Sequence, residues 1–271
     1  MTESADIPQD EKEKVEDLRH VPTSVIFEAL RQEGEHELYR PASALWWSGV
    51  AAGLAISTSV LCKGFLVALL PDADWTPAIS NLGYTVGFLI VILARMQLFT
   101  ENTITPILPL FLAPTRAKLL RILRLWAIVF AANLAGCALA ALVLVHAGIV
   151  PPDRFAGILA VSRHYAEASG LEHFLWGVPA GFIIAALVWL LPRLKNSGEV
   201  LMIVILTYMI GLGDMSHVVA GSTELLILVF RGELGLAPAV FGGILPALAG
   251  NVIGGTGIFA ALTYALLREE I

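Results

Sequence analysis

The sequence predicts an all-α polytopic membrane protein with six transmembrane helices in an inverted 3+3 repeat, the second and fifth helices broken. Three observations carry this reading. Of 271 residues, 57% are hydrophobic and only 15% charged, with a mean hydropathy of +0.77, whereas a soluble domain carries about 25% charged residues. Uncharged runs of about 18 residues or more recur, each long enough to cross a hydrocarbon core of ~30 Å at ~1.5 Å per residue. Two polar stretches, "RMQLFTENT" (95–103) and "GDMSHVVAGSTE" (213–224), interrupt the apolar pattern at matching places in the two halves.

The chain divides into an acidic N-terminal segment, residues 1–40, and a transmembrane domain, 41–271, whose repeat halves run from about 41 to 150 and from about 172 to 268. The first 40 residues hold eleven acidic and five basic side chains and supply most of the net charge of −6. This composition reads as a solvated tail rather than a nucleic-acid binder. It has no basic stretch followed by an apolar core, so it does not read as a signal peptide. Within it, "TSVIFEALRQE" (23–33) reads as a short amphipathic helix with a Thr or Ser cap, burying Val25, Ile26, Phe27 or Leu30. His36 among Glu33, Glu35 and Glu37 reads as a solvated charged face.

The spans follow in order. Residues 42–62 are uncharged and form the first. The turn "PDAD" (71–74) leads to 75–94, which alone is long enough to cross. That leaves 102–115, about 21 Å if helical, as a re-entrant piece. The third span lies within 125–150, and the fourth is 174–191, stopped by Pro192. Residues 201–213 reach only about 20 Å, too short to cross, and must pair with 218–230 across a break. The run 234–267 holds the sixth.

Loop charge orients these spans. The 114–124 loop carries Arg116, Lys118, Arg121 and Arg124, and the 192–200 loop carries Arg193 and Lys195. The alternate loops 71–74, 151–172 and 231–233 are acidic or balanced. The positive-inside rule places both termini in the cytoplasm, across the inner membrane, and six crossings have the same parity.

The halves echo each other. "GVAAG" (49–53) matches "GVPAG" (177–181), and "ANLAG" (132–136) matches "AGNVIG" (249–254), aligning Asn133 with Asn251. Thr100 precedes Asn133 by 33 residues and His217 precedes Asn251 by 34. Three crossings per half force the halves to enter from opposite sides, an arrangement that sets a site at the midplane between two broken helices. Irregular backbone is tolerated there only where it lines a cavity or is buried in protein.

On these residues the chain resembles the formate/nitrite transporter family. "YTVGFLIVILARMQLFTENT" (84–103) is similar to the family's second span with its Leu-Phe-Thr break. "SHVVAG" (216–221) is similar to its fifth-span Glu-His-Ser-x-Ala-Asn signature, and "WAIVFAANLAG" (126–136) to its third span. The resemblance covers residue 40 to the C-terminus. It implies an aquaporin-like protomer, a homopentamer in the lipid bilayer with one pore per protomer, and neither enzyme activity nor a cofactor. It also implies that His217 is the central pore histidine and Thr100 the threonine facing it. Leu98 and Phe99 then fall on the loop side of one constriction, and Tyr84 and Phe88 occupy constricting positions. Ile210 stands where the family usually has Phe. The departures stand out: Ser216 replaces the Glu before the histidine, Gly221 the Asn after it, and Gly181 a fourth-span Asn; Arg95 and Gln97 stand beside the first break where small or acidic residues are usual, and Tyr84 puts a hydroxyl where a purely apolar ring is usual.

The chemistry follows from charge and dielectric. Moving an anion into an apolar constriction costs several kcal/mol, whereas its neutral acid crosses far more cheaply. An imidazole with an ordinary pKa near ~6.5 can exchange a proton close to neutral pH, and Thr100 can orient it. The substrate so implied is a small monovalent weak-acid anion or its neutral acid, such as formate, nitrite or hydrosulfide. The alternatives are a satisfied intramembrane histidine and a pore for small neutral solutes. Asp214 would share a face with His217 if the backbone were helical there, which leaves open a metal pair, a loop-satisfying role or a vestibule position. Asn133, Asn251, Asp214 and Ser216 read as supports of the two breaks. Glu101 and Glu224 read as partners of helix N-termini. Lys63 and Arg163 read as interfacial charges or as attractors of anions at the outer mouth. Cys62 and Cys137 lie in apolar runs with no CxxC or Cys/His cluster, so a metal site is not expected.

Overall fold

A computed structural model describes residues 22–194 and 196–268, and among these every regular element is helical. Most of the acidic tail, together with Lys195, therefore lies outside the described residues. The helices are α1 (Thr23–Leu38), α2 (Ala42–Leu69), α3 (Thr76–Ser80), α4 (Thr85–Leu93), α5 (Leu108–Leu112), α6 (Arg116–His146), α7 (Pro152–Ala166), α8 (Gly170–Leu190), α9 (Ser197–Leu212), α10 (Val218–Arg231) and α11 (Pro238–Leu267). Among the described residues five stretches are long and apolar enough to cross a membrane: α2, Thr76–Leu93, α6, Gly170–Arg193 and α11. Large apolar side chains stay exposed on them, among them Trp47, Phe241 and Leu266, as a surface facing lipid or neighbouring protein requires.

Several boundaries differ from the sequence reading. α1 runs five residues beyond 33, and Pro22 precedes it with no side-chain cap. Ile26, Phe27 and Leu30 are buried, but Val25 is exposed. The 102–115 piece is not one helix: two 3₁₀ turns, Glu101–Thr103 and Thr105–Ile107, lead into the five-residue α5. Pro106 and Pro109 account for this, since each removes a donor and clashes with the preceding turn. The 151–172 region, read as a loop, holds the 15-residue α7. α11 alternates α with two π-helical stretches, Pro238–Ile244 and Ile253–Ala260.

The core is built from close backbone contacts. α2 packs most extensively on α6, and α8 on the middle of α11. A Cβ on Gly53 would overlap the Asn133 carbonyl, and one on Gly181 would overlap the Asn251 carbonyl. Small residues permit such approach in a setting where lipid supplies no hydrophobic drive. The Gly181 departure has this cause, because α8 passes too near α11 to leave room for an asparagine.

The two breaks share one hydrogen-bonding scheme. α4 ends with Ala94 N–H bonded to Ile90 O at 3.0 Å, Met96 N–H to Val91 O at 3.0 Å, and Arg95 at φ 50°. α9 ends with Gly213 N–H bonded to Met209 O at 3.0 Å, Met215 N–H to Ile210 O at 3.0 Å, and Asp214 at φ 47°. The left-handed conformation costs a residue with a Cβ roughly 1–2 kcal/mol. Beyond each break one asparagine amide gathers the freed backbone. Asn133 Oδ1 accepts from Phe99 N–H at 2.9 Å, and its Nδ2 donates to the carbonyls of Gly49 and Gln97, both at 2.8 Å. Asn251 Oδ1 accepts from Val218 N–H at 2.9 Å, and its Nδ2 donates to Gly177 O and Ser216 O, both at 2.8 Å. This register aligns Leu98, not Thr100, with His217, a two-residue refinement of the sequence alignment.

Asn133→Leu removes three bonds and leaves Phe99 N–H and Gln97 O unpaired, since the Gly49 carbonyl lies within α2, at about 1–3 kcal/mol for each buried group left unpaired. Thermal unfolding in detergent is expected to show a loss of at least about 2 kcal/mol, and Asn251→Leu a similar one. An unchanged melting temperature would mean that other contacts hold the breaks.

Candidate functional site

His217 ends the second break and starts α10. Its backbone is extended (φ −93°, ψ 116°), and Nδ1 accepts the Ala220 N–H at 3.3 Å, the service that Ser, Thr, Asp or Asn usually performs at a helix start. A ring nitrogen that accepts carries no proton. The neutral imidazole therefore holds its hydrogen on Nε2, which donates to Thr100 Oγ1 at 2.8 Å. Both residues are fully buried. The first break thus presents a hydroxyl, and the second an imidazole, across a contact between distant parts of the chain.

Aromatic rings cover this pair on one side. Phe88 stands edge-on to the imidazole with centroids 4.9 Å apart, and Tyr84 lies 5.4 Å beyond Phe88. Phe88 is fully buried and Tyr84 nearly so, which leaves no open passage at these rings. Leu98 and Ile210 are fully buried as well. Phe99 differs: its ring turns toward α6, against Trp126 at 5.8 Å and Phe130 at 5.2 Å.

Beyond Tyr84 a cavity of about 250 Å³ opens, reached between α7, the start of α8 and the second break. Ile210 and Tyr84 form part of its floor. Asp214 borders it, with Oδ2 3.4 Å from His164 Nε2. The left-handed backbone at Asp214 turns this carboxylate to the cavity mouth and away from the face that helical geometry would share with His217. Among the described residues no group of three or more His, Cys, Asp or Glu side chains is disposed to hold a metal ion.

The other departures from the family pattern meet one another here. Ser216 Oγ lies 3.0 Å from His173 Nδ1, and the His173 ring packs on Tyr165 at 4.6 Å. Gly221 faces Tyr165, whose hydroxyl occupies the space that a Cβ would take. A short Ser216 and a Cβ-free Gly221 are what admit His173 and Tyr165. Sequence reasoning missed both aromatic residues, since nothing local shows that α7 folds back onto α10. Glu224, which the sequence alone places at a helix N-terminus, lies instead well inside α10, buried, beside the cavity. Its position seven residues after His217 was the available signal, because i and i+7 share a helix face.

Fold and site together define a helical membrane protein with a buried polar centre between two broken segments. A family profile described as "Formate/nitrite transporter" matches residues 24–265, and the chain belongs to the formate/nitrite transporter family. It is 39% identical to "Inner membrane protein YfdC" of Escherichia coli (strain K12) over 246 residues, covering 91% of this chain and 79% of that protein. It is 27% identical to "Uncharacterized transporter YrhG" of Bacillus subtilis (strain 168) over 252 residues, covering 90% and 92%. Two solved structures share the fold. An "FNT family ion channel" superposes with a TM-score of 0.79 at 19% identity, covering 90% of this chain and 98% of that one. A "Pentameric formate channel with formate bound" superposes with a TM-score of 0.71 at 16% identity, covering 84% and 98%.

Because Tyr165 fills the Gly221 notch, Gly221→Ala is expected to destabilise the protein by about 1–3 kcal/mol, the usual cost of overpacking. Adding Tyr165→Ala should restore part of that loss. A thermal-unfolding cycle checks the coupling, and strictly additive losses would contradict it.

Proposed function

We propose that this chain is a channel or proton-coupled transporter for small monovalent weak-acid anions, formate and nitrite among them, with one path through each protomer. The single observation that carries the reading is the sealed pair Thr100–His217: an imidazole and a hydroxyl 2.8 Å apart, fully buried, on two broken helices, behind Phe88. The family membership supports transport. The relative named as an inner membrane protein and the pentameric formate channel support a homopentamer in the inner membrane. The matched breaks support an inverted repeat of six crossings, the second from α3 and α4 and the fifth from α9 and α10, with both termini cytoplasmic and residues 41–271 as the transmembrane domain.

The proposed chemistry uses the two hydrogen bonds of His217. At rest Nε2–H donates to Thr100, and Nδ1 is held by the Ala220 N–H. A proton arriving at Nδ1 displaces that cap and makes the ring an imidazolium. An anion that arrives from the Leu98 side meets Thr100 there, and Nε2 passes its proton to the threonine oxygen while the threonine hydroxyl proton moves to the anion; a neutral acid that arrives from the cavity side runs the same relay in reverse. In the protonating direction the ring is left neutral and the acid uncharged, able to pass apolar gates that exclude ions. Phe88 and Tyr84 serve as those gates on the cavity side, and Leu98 borders the opposite approach. Asn133 and Asn251, with Asp214 and Ser216, hold the breaks in register.

A pore for small neutral solutes is the second reading, favoured by one specific feature. The cavity is bordered by Glu167, Glu172, Asp214 and Glu224 but by a single lysine, Lys63, a balance that does not favour an unassisted anion.

His217→Asn keeps a similar volume and cannot titrate. In liposomes it should remain a folded pentamer by mass, while proton-coupled formate uptake falls about 100-fold, within the usual contribution of a positioned acid–base group. Identical flux-against-pH profiles for wild type and variant, alongside pH-insensitive urea permeation, would overturn the proton relay in favour of the neutral-solute pore. A stable monomer as the sole species would contradict the assembly.

A further inference from the structure

α10 carries a second titratable group facing the cavity. His217, Gly221 and Glu224 follow one face of this helix at i, i+4 and i+7, with the Tyr165 hydroxyl set against Gly221. Glu224 is 4% exposed and borders the 250 Å³ cavity. Among the described residues its carboxyl has neither a hydrogen-bond partner nor an ion pair within 4.0 Å. The Tyr165 hydroxyl beside this face is also buried without a hydrogen-bond partner. A buried donor with no partner costs free energy unless something completes it, and Glu224 presents its carboxyl to the cavity beside it.

The charges around Glu224 can be followed element by element. Lys63 from α2 and Asp214 from the second break lie within its electrostatic reach, as do Tyr84 at the head of α4 and Tyr165 from α7. His173 on α8 also borders the cavity but is tied to Ser216. Cys137 of α6, on the far side of α10, turns its thiol to the carbonyls of Gly53 and Val219. Tyr84 then separates the cavity from Phe88 and the imidazole beyond.

We propose that Glu224 is a second proton-transfer residue, which protonates small carboxylate-type anions in the cavity before they reach the Tyr84–Phe88 seal. The inference rests on the transport reading above and names the group that prepares its substrate. The lone Lys63 ammonium draws the anion past the acidic border, and the Tyr165 O–H donates to one of its oxygens. The Glu224 O–H bond breaks as an O–H bond forms on the anion, leaving Glu224 a carboxylate beside a neutral acid. That acid presents one donor and one acceptor, matching the carboxylate and the phenol. Water in the cavity returns the proton to Glu224. This device eases the conflict between an acid-bordered vestibule and an anionic substrate: one of the bordering carboxyls, Glu224, supplies the proton that the anion needs.

The experiment compares wild type, Glu224→Gln and Glu224→Asp as intact protein in liposomes, reading initial formate uptake against external pH. In wild type the rate should decline slowly above the acid's own pKa. In Glu224→Gln it should track the free-acid fraction, falling about tenfold per pH unit, whereas Glu224→Asp should keep the wild-type shape at a lower rate. A Glu224→Gln profile of wild-type shape would overturn the proposal and leave the transport reading intact. Formate-induced infrared difference spectra of the same samples give a readout that does not depend on flux. A carboxyl band that formate shifts in wild type and that is missing in Glu224→Gln is expected, and no such band would overturn the assignment. Absence of formate flux in wild type would instead defeat the underlying transport reading, while the infrared result would still decide whether Glu224 exchanges a proton with formate.

Discussion

Backbone polar groups freed inside an apolar interior must find partners, and the rest of this structure depends on how that is met at two places. Each broken helix releases an N–H and a carbonyl where no water is at hand, and such groups cost several kcal/mol if left bare. One asparagine amide answers each break with three bonds. An amide can do this because it has an acceptor and two donors in one rigid plane. Its reach is short, so the supporting helices must come close, and Gly53 and Gly181 are where they do.

The same constraint gives His217 two duties. It caps α10 through Nδ1 and reaches Thr100 through Nε2, so its protonation is tied to the integrity of a helix end. A proton at Nδ1 competes with a backbone N–H. Local structure and charge state are therefore coupled in one side chain, with Phe88 excluding the water that would loosen the link. Thr100 is anchored in turn, since its carbonyl accepts the Thr103 hydroxyl at 2.7 Å.

The first break is also tied to the N-terminal helix. Gln97 Nε2 donates to Glu37 Oε2 at 3.0 Å, Asn102 Nδ2 donates to Gln97 Oε1 at 3.0 Å, and Arg40 pairs with Glu37 at 3.1 Å. Gly34 seats α1 directly on the Thr105 carbonyl. The unusual Gln97 thus belongs to a polar chain running from α1 to the segment that carries Leu98 and Thr100. On the opposite side, Ser216 with His173 and Gly221 with Tyr165 form a similarly matched set. Departures that look unrelated along the sequence are paired in space.

Much of this was legible in the sequence. Apolar length and loop charge report partition between water and lipid, which acts on each segment separately, so the long spans could be read one at a time. The breaks could be read because polar residues in lipid must have a reason: Thr100 and His217 fall in them, and Asn133 and Asn251 recur at matched spacing in the spans that follow. Contacts between distant segments were decided only by tertiary structure. Whether Phe99 turns to His217 or to Trp126 depends on the room beside α6. The two-residue register of the repeat depends on which N–H each asparagine meets, and the direction of Asp214 on one left-handed residue. Glu224 could be placed on the histidine's helix face by counting, but the cavity it borders depends on α7 folding back to bring Tyr165 against Gly221. Hydropathy is a property of each residue; a buried carboxyl at the edge of a cavity is a property of everything packed around it.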